Sequence, residues 1–216
     1  MFRIAAGSRW AIVALFLAAA PAAFAQRWEF GVGGGGSFFT TQTLTSPAGS
    51  VDASFQPGFV ATAYAGQTGR RFGGEIRYAY FFNDMKLDGQ GHSFGFGGRS
   101  YLVTYDFMFF MGNSESKVRP YISVGGGVRR FEGTGQDMAV QPFENIAVLT
   151  RTTQMKPVIS AGAGVHLRTS AHTALRAEVK AYFSQNPSDI ITPVTGNGGN
   201  SWIVNFAPML NIAFVF

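Results

Sequence analysis

Few residues in this 216-residue chain are spaced for catalysis. Gly31-Val32-Gly33-Gly34-Gly35-Gly36 matches a dinucleotide-binding pattern by letter. Such a loop cradles phosphate only where a strand leads into it and a helix follows, and neither flanks it here. No cofactor is therefore expected. His92-Ser93 sets a base beside a nucleophile, but neighbours on an extended chain point to opposite faces and cannot share a proton. Three scattered histidines and no cysteine supply no metal-ligand cluster. His166 and His172 fall beside a short turn and read as solvated. What remains is a set of charges at alternating positions: Glu29, Glu75, Arg77, Asp106, Arg119, Arg129, Arg176, Glu178 and Lys180. Their chemistry is mutual neutralisation inside a sheet. The network expected from them comprises Glu75, Arg77, Asp106, Arg119, Arg176, Glu178 and Lys180, with Arg77, Arg176 and Lys180 available to meet Glu75, Asp106 and Glu178.

The elements that carry these charges are strands. In residues 200–216 one face reads Trp202, Val204, Phe206, Pro208, Leu210, Ile212, Phe214 and Phe216, without a polar side chain. The other face is small and mixed, a period of two held throughout. Seven earlier segments read as strands: 27–39, 58–66, 72–85, 94–111, 118–131, 156–167 and 173–184. In 72–85, Ile76 and Tyr78 oppose Glu75 and Arg77; in 94–111, Tyr105 and Phe107 oppose Asp106; in 173–184, Val179 opposes Arg176, Glu178 and Lys180. The faces of 58–66 stay unassigned, because alanine and aromatic residues alternate ambiguously. The connections alternate long and short, with the long ones around Ser46, Asp88, Gln136 and Gly196 reading as loops. Apolar faces of this length suit contact with lipid, and aromatic residues near the strand ends suit its interfaces.

Residues 1–25 read as a cleaved signal peptide, with basic Arg3 and Arg9, an apolar run over 10–20, and Ala23-Phe24-Ala25 at the cleavage position. Residues 26–216 then form one domain. Losing Arg3 and Arg9 lowers the formal charge of +5 by two, so the basic balance does not indicate nucleic acid. Beyond residue 25 no apolar run is long enough for a membrane helix. The 28 glycines and 22 phenylalanines suit a curved sheet with aromatic girdles.

An even count of eight strands, alternating short and long connections, Arg119-Pro120-Tyr121 leading into Gly125-Gly126-Gly127, and a terminal Phe216 together resemble the eight-stranded bacterial outer-membrane β-barrels of OmpA/OmpX type. The resemblance implies an all-β, antiparallel, up-and-down transmembrane barrel in the Gram-negative outer membrane. It also implies a side-chain-filled interior, short turns in the periplasm and long loops outside. Ile76, Tyr78, Tyr105, Phe107, Val179, Phe206 and Phe214 would face outer-membrane lipid. Phe214 and Phe216 would carry the insertion signal read by the barrel-assembly machinery after escort by periplasmic chaperones. The expected role is structural or surface-interacting, with a surface ligand possible at the loops. The acids there (Asp52, Asp84, Asp88, Glu132, Asp137, Glu144 and Asp189) could hold cations bridging lipopolysaccharide or simply keep the loops soluble. A lipid-modifying barrel enzyme and a small pore stand as alternatives.

Overall fold

The computed structural model describes residues 27–47, 49–89, 91–135, 141, 143, 146–193 and 202–216. The expected signal peptide and the loop centres at Gln136 and Gly196 lie outside them. The strands are β1 (Arg27–Phe39), β2 (Gln42–Ser46), β3 (Gly49–Phe55), β4 (Gly58–Thr68), β5 (Phe72–Phe82), β6 (Met85–Gly89) and β7 (His92–Phe96). They continue with β8 (Gly98–Phe110), β9 (Val118–Gly133), β10 (Ala147–Leu149), β11 (Thr153–Arg168), β12 (Thr173–Gln185), β13 (Ile191–Pro193) and β14 (Trp202–Val215).

Eight of them close into one antiparallel barrel, in the order β1-β14-β12-β11-β9-β8-β5-β4. The seam joins the first strand to the last, with Glu29 opposite Val215 and Phe39 opposite Asn205. Closure leaves no unpaired edge, which a sheet immersed in hydrocarbon requires. The period of two in the sequence becomes an inside and an outside. In β14 every even-numbered residue from Trp202 to Phe214 lies on the outer face and every odd-numbered one from Ile203 to Val215 is buried. β4, whose faces the sequence left open, turns Val60, Thr62 and Tyr64 inward and Phe59, Ala61 and Ala63 outward.

The three short connections, the start of β1 and the end of β14 gather at one end. Gly112 turns the β8–β9 connection with a φ of 84°, a left-handed conformation that side chains with a Cβ rarely adopt. Gly31 serves another purpose: a Cβ there would overlap the ring of Tyr64, its register partner on β4.

At the opposite end the described parts of the segments expected to be loops carry strands of their own. β2, β3, β6 and β7 form a four-stranded sheet and β10 pairs with β13. Leu44, Val51, Phe55, Met85, Leu87, Phe96, Phe143, Ile146, Leu149, Ile190 and Ile191 build an apolar core with Phe131 and Ile203 from the barrel rim. The segment around Ser46 is therefore part of a cap. Its alternation is present in the sequence, since Val51, Ala53 and Phe55 face one way and Met85 and Leu87 repeat the pattern. The surrounding Ser, Thr and Gly mask it. The expected strand 94–111 is likewise two strands, β7 in the cap and β8 in the barrel.

Candidate functional site

The barrel interior is layered. Tyr64, Ala174, Ala213 and Val215 lie towards the short-turn end, beside Met108, Phe110 and Tyr121. Phe81, Leu102, Val158, Tyr182 and Ala207 form an apolar layer nearer the cap. Between them sits the charge network, in which every member is almost wholly buried.

Glu75 on β5 is its hub. It meets Arg77 at 2.8 Å, Arg176 at 2.5 Å and Lys180 at 3.4 Å. Arg77 also reaches Glu178 at 2.6 Å, and Lys180 reaches Asp106 at 2.9 Å. Arg176 extends the network to Glu29 at 2.9 Å, and Glu29 meets His166 Nε2 at 3.1 Å. The hydroxyl of Tyr64 donates to Glu29, that of Tyr121 donates to Glu178, and Asn211 donates to Glu178. Thr104 and Ser160 donate to Asp106. The strand period explains the assembly: Glu75 and Arg77, or Arg176, Glu178 and Lys180, share one inward face along a strand. Closure brings those faces across the lumen. Buried charges are tolerated in such a place only when paired and hydrogen-bonded.

Two sequence expectations change. Arg119 points inward but makes no ion pair among the described residues. It donates instead to the carbonyls of Gly69 and Arg70, with its guanidinium 4.4 Å from the centre of the Phe110 ring. His166, expected to be solvated, is 6% exposed and ends the network at Glu29. It stands at the same parity on β11 as buried Ser160, and that register was the available signal. His172 does lie exposed, with Nδ1 3.3 Å from the carbonyl of Val215.

Arg129 is a separate case. It is wholly buried near the cap among the rings of Phe39, Phe81 and Phe131, and donates to Ser100 and Asn205 without a carboxylate. Aromatic faces and hydroxyl dipoles stand in for the counter-ion. In the cap, acids are engaged locally: Asp52 accepts from Thr43, Asp84 from the Gly98 amide, and Asp88 pairs with Lys86.

The outer wall carries Ile76, Tyr78, Tyr105, Phe107, Val179, Phe206 and Phe214, all exposed. Trp28, Phe30, Phe72 and Phe216 ring the short-turn end, and Phe38, Phe59, Phe82 and Trp202 ring the cap end. Phe216 packs edge-on to Phe30, and its amide donates to the Trp28 carbonyl. A continuous apolar wall between two aromatic rings is the outside of a barrel built for a bilayer.

No family model matches the chain, and no curated protein matches it. Solved structures do. The outer membrane protein OprG of Pseudomonas aeruginosa is similar with a TM-score of 0.56 at 15% identity, over 87% of this chain and 95% of that one. Neisserial surface protein A (NspA) is similar with a TM-score of 0.53 at 12% identity, over 88% and 96%. At such identities the likeness concerns fold, and it agrees with the closed eight-stranded ladder and the apolar outer wall. The chain has the fold of the eight-stranded outer-membrane β-barrels, the family its sequence resembles.

Proposed function

We propose that this chain is a surface-interaction barrel of the Gram-negative outer membrane. Lipid is held against Ile76, Tyr78, Tyr105, Phe107, Val179, Phe206 and Phe214, the short turns lie in the periplasm, and the cap stands outside. The observation that carries this reading is the contrast between the self-neutralised middle of the lumen and the folded cap at one end. The charges gathered around Glu75 are consumed by one another between apolar layers, while the described parts of the long connections pack into an apolar core with the barrel rim. A barrel with a filled interior acts through what it displays. Phe214 and Phe216 then serve the barrel-assembly machinery, and periplasmic chaperones carry the unfolded chain to it.

The reading is non-catalytic. Ser93 stands opposite Asp88 and His92 opposite Gly89, so hydroxyl and imidazole leave β7 on opposite faces. A carrier of lipophilic ligand would need the reverse polarity, with an apolar lumen and a polar wall. The test is an epitope inserted at exposed Pro47, between β2 and β3. It should be reached by antibody on intact cells and fractionate with the outer membrane. Recovery as a soluble periplasmic protein without detergent would overturn the proposal.

A further inference from the structure

At the short-turn end, the turns and the start of β1 enclose a cavity of about 260 Å³. Its charged lining is Arg27, Arg70, Arg119 and Arg168 with a single acid, Glu115, and His166 forms part of the wall. Two of the arginines are fixed by backbone carbonyls. Arg119 Nη2 donates to Gly69 at 3.0 Å and Arg70 at 2.8 Å, and Arg168 Nη2 donates to Ser114 at 2.7 Å. These bonds hold the guanidiniums in place without neutralising them. Glu115 is 76% exposed and comes only to 3.7 Å from Arg168. Among the described residues Arg27, Arg70 and Arg119 make no ion pair.

The site also holds unspent polar atoms. Arg119 is 5% exposed and its buried Nε has no partner; His166 Nδ1 is buried and has none. Buried polar groups are ordinarily satisfied, and one left over marks a place for a ligand or water. Tying turns together explains the Nη2 bonds of Arg119 and Arg168. It explains neither the free Nε nor Arg27 and Arg70, which tie nothing. We propose that this cavity is an oxyanion site, taking a phosphate or carboxylate group that arrives at the mouth of the barrel. Guanidinium groups suit both, because their planar N–H donors match the oxygens of either. The proposal rests on the membrane reading only in calling that mouth periplasmic.

The test uses purified protein refolded in a non-ionic detergent, so a failed anion site leaves the membrane reading intact, and the reverse holds too. Sodium phosphate is titrated against sodium chloride at equal ionic strength, following the ring NMR signals of His166. A second series uses dihexanoylphosphatidylglycerol below its micelle concentration, with dihexanoylphosphatidylcholine as control. The Arg27→Gln/Arg70→Gln double variant is titrated in parallel; neither side chain ties a turn, so the fold should hold. A saturable shift with phosphate or with the anionic lipid, weakened about ten-fold or more in the double variant, is expected. Response to phosphate indicates a soluble source, and response to the anionic lipid alone indicates the surrounding leaflet. Absence of saturation in both series, or equal affinity in the double variant, would overturn the proposal.

Discussion

Glu75 meets three cations at once, so its loss should be felt more than that of any residue at the edge of the network. Glu75→Gln leaves Arg77, Arg176 and Lys180 sharing fewer carboxylates in a dry interior. Removing one partner of a buried pair typically costs about 3–5 kcal/mol, and urea unfolding from lipid vesicles should show a loss of that order. On the outer wall, Val179→Arg places a charge in the apolar belt and should cost about 2–4 kcal/mol by the same measurement. Equal stability of variant and parent would mean that Val179 does not face lipid. Much at this scale was legible from alternation alone, because a charge on the face opposite a long apolar one belongs inside. Which charge meets which was not, since Glu75 and Arg176 are 101 positions apart and only closure brings them together. Arg119 and His166 were misread for a related reason. Their partners, two turn carbonyls and a carboxylate on the first strand, cannot be inferred from their own neighbours in sequence.

Strands that cross the barrel declare themselves by long apolar faces, whereas those of the cap are three to seven residues long and set among Ser, Thr and Gly. The barrel was therefore readable and the cap was not. Phe55 shows what holds the cap to the rim: its ring centre lies 4.5 Å from that of Phe39 and 5.8 Å from that of Phe131. Phe55→Ala should destabilise the cap by about 3–5 kcal/mol. Limited proteolysis should then cut within β2, β3, β6 or β7 while the barrel strands persist in detergent. Cleavage of barrel and cap together would show that they unfold as one unit. At the other end, Phe216→Ala removes an exposed ring from the wall but no ladder bond of the closed sheet. Refolding in detergent should be unchanged while the amount reaching the outer membrane falls; equal yields in cells would deny Phe216 its part in insertion.

Taken whole, the molecule is a filled cylinder with a lid on one end, and planar-bilayer recording should show no steady, large conductance. A stable wide-pore current would mean that the ion pairs and the Phe81–Tyr182 layer do not block the lumen. The lumen has a further consequence for how the chain is made. Glu29, Glu75 and Asp106 lie on β1, β5 and β8, while Arg176 and Lys180, which answer them, lie on β12. A chain cut short before β12 would present three acids to the lumen with only Arg77 at hand to pair with Glu75. Its sheet could not close either, for β14 forms both the seam with β1 and the partner of β12. Charge and seam thus act as two independent proofreaders of length. A chain that reaches β12 can answer its lumen acids, but only one that reaches β14 can also close its sheet.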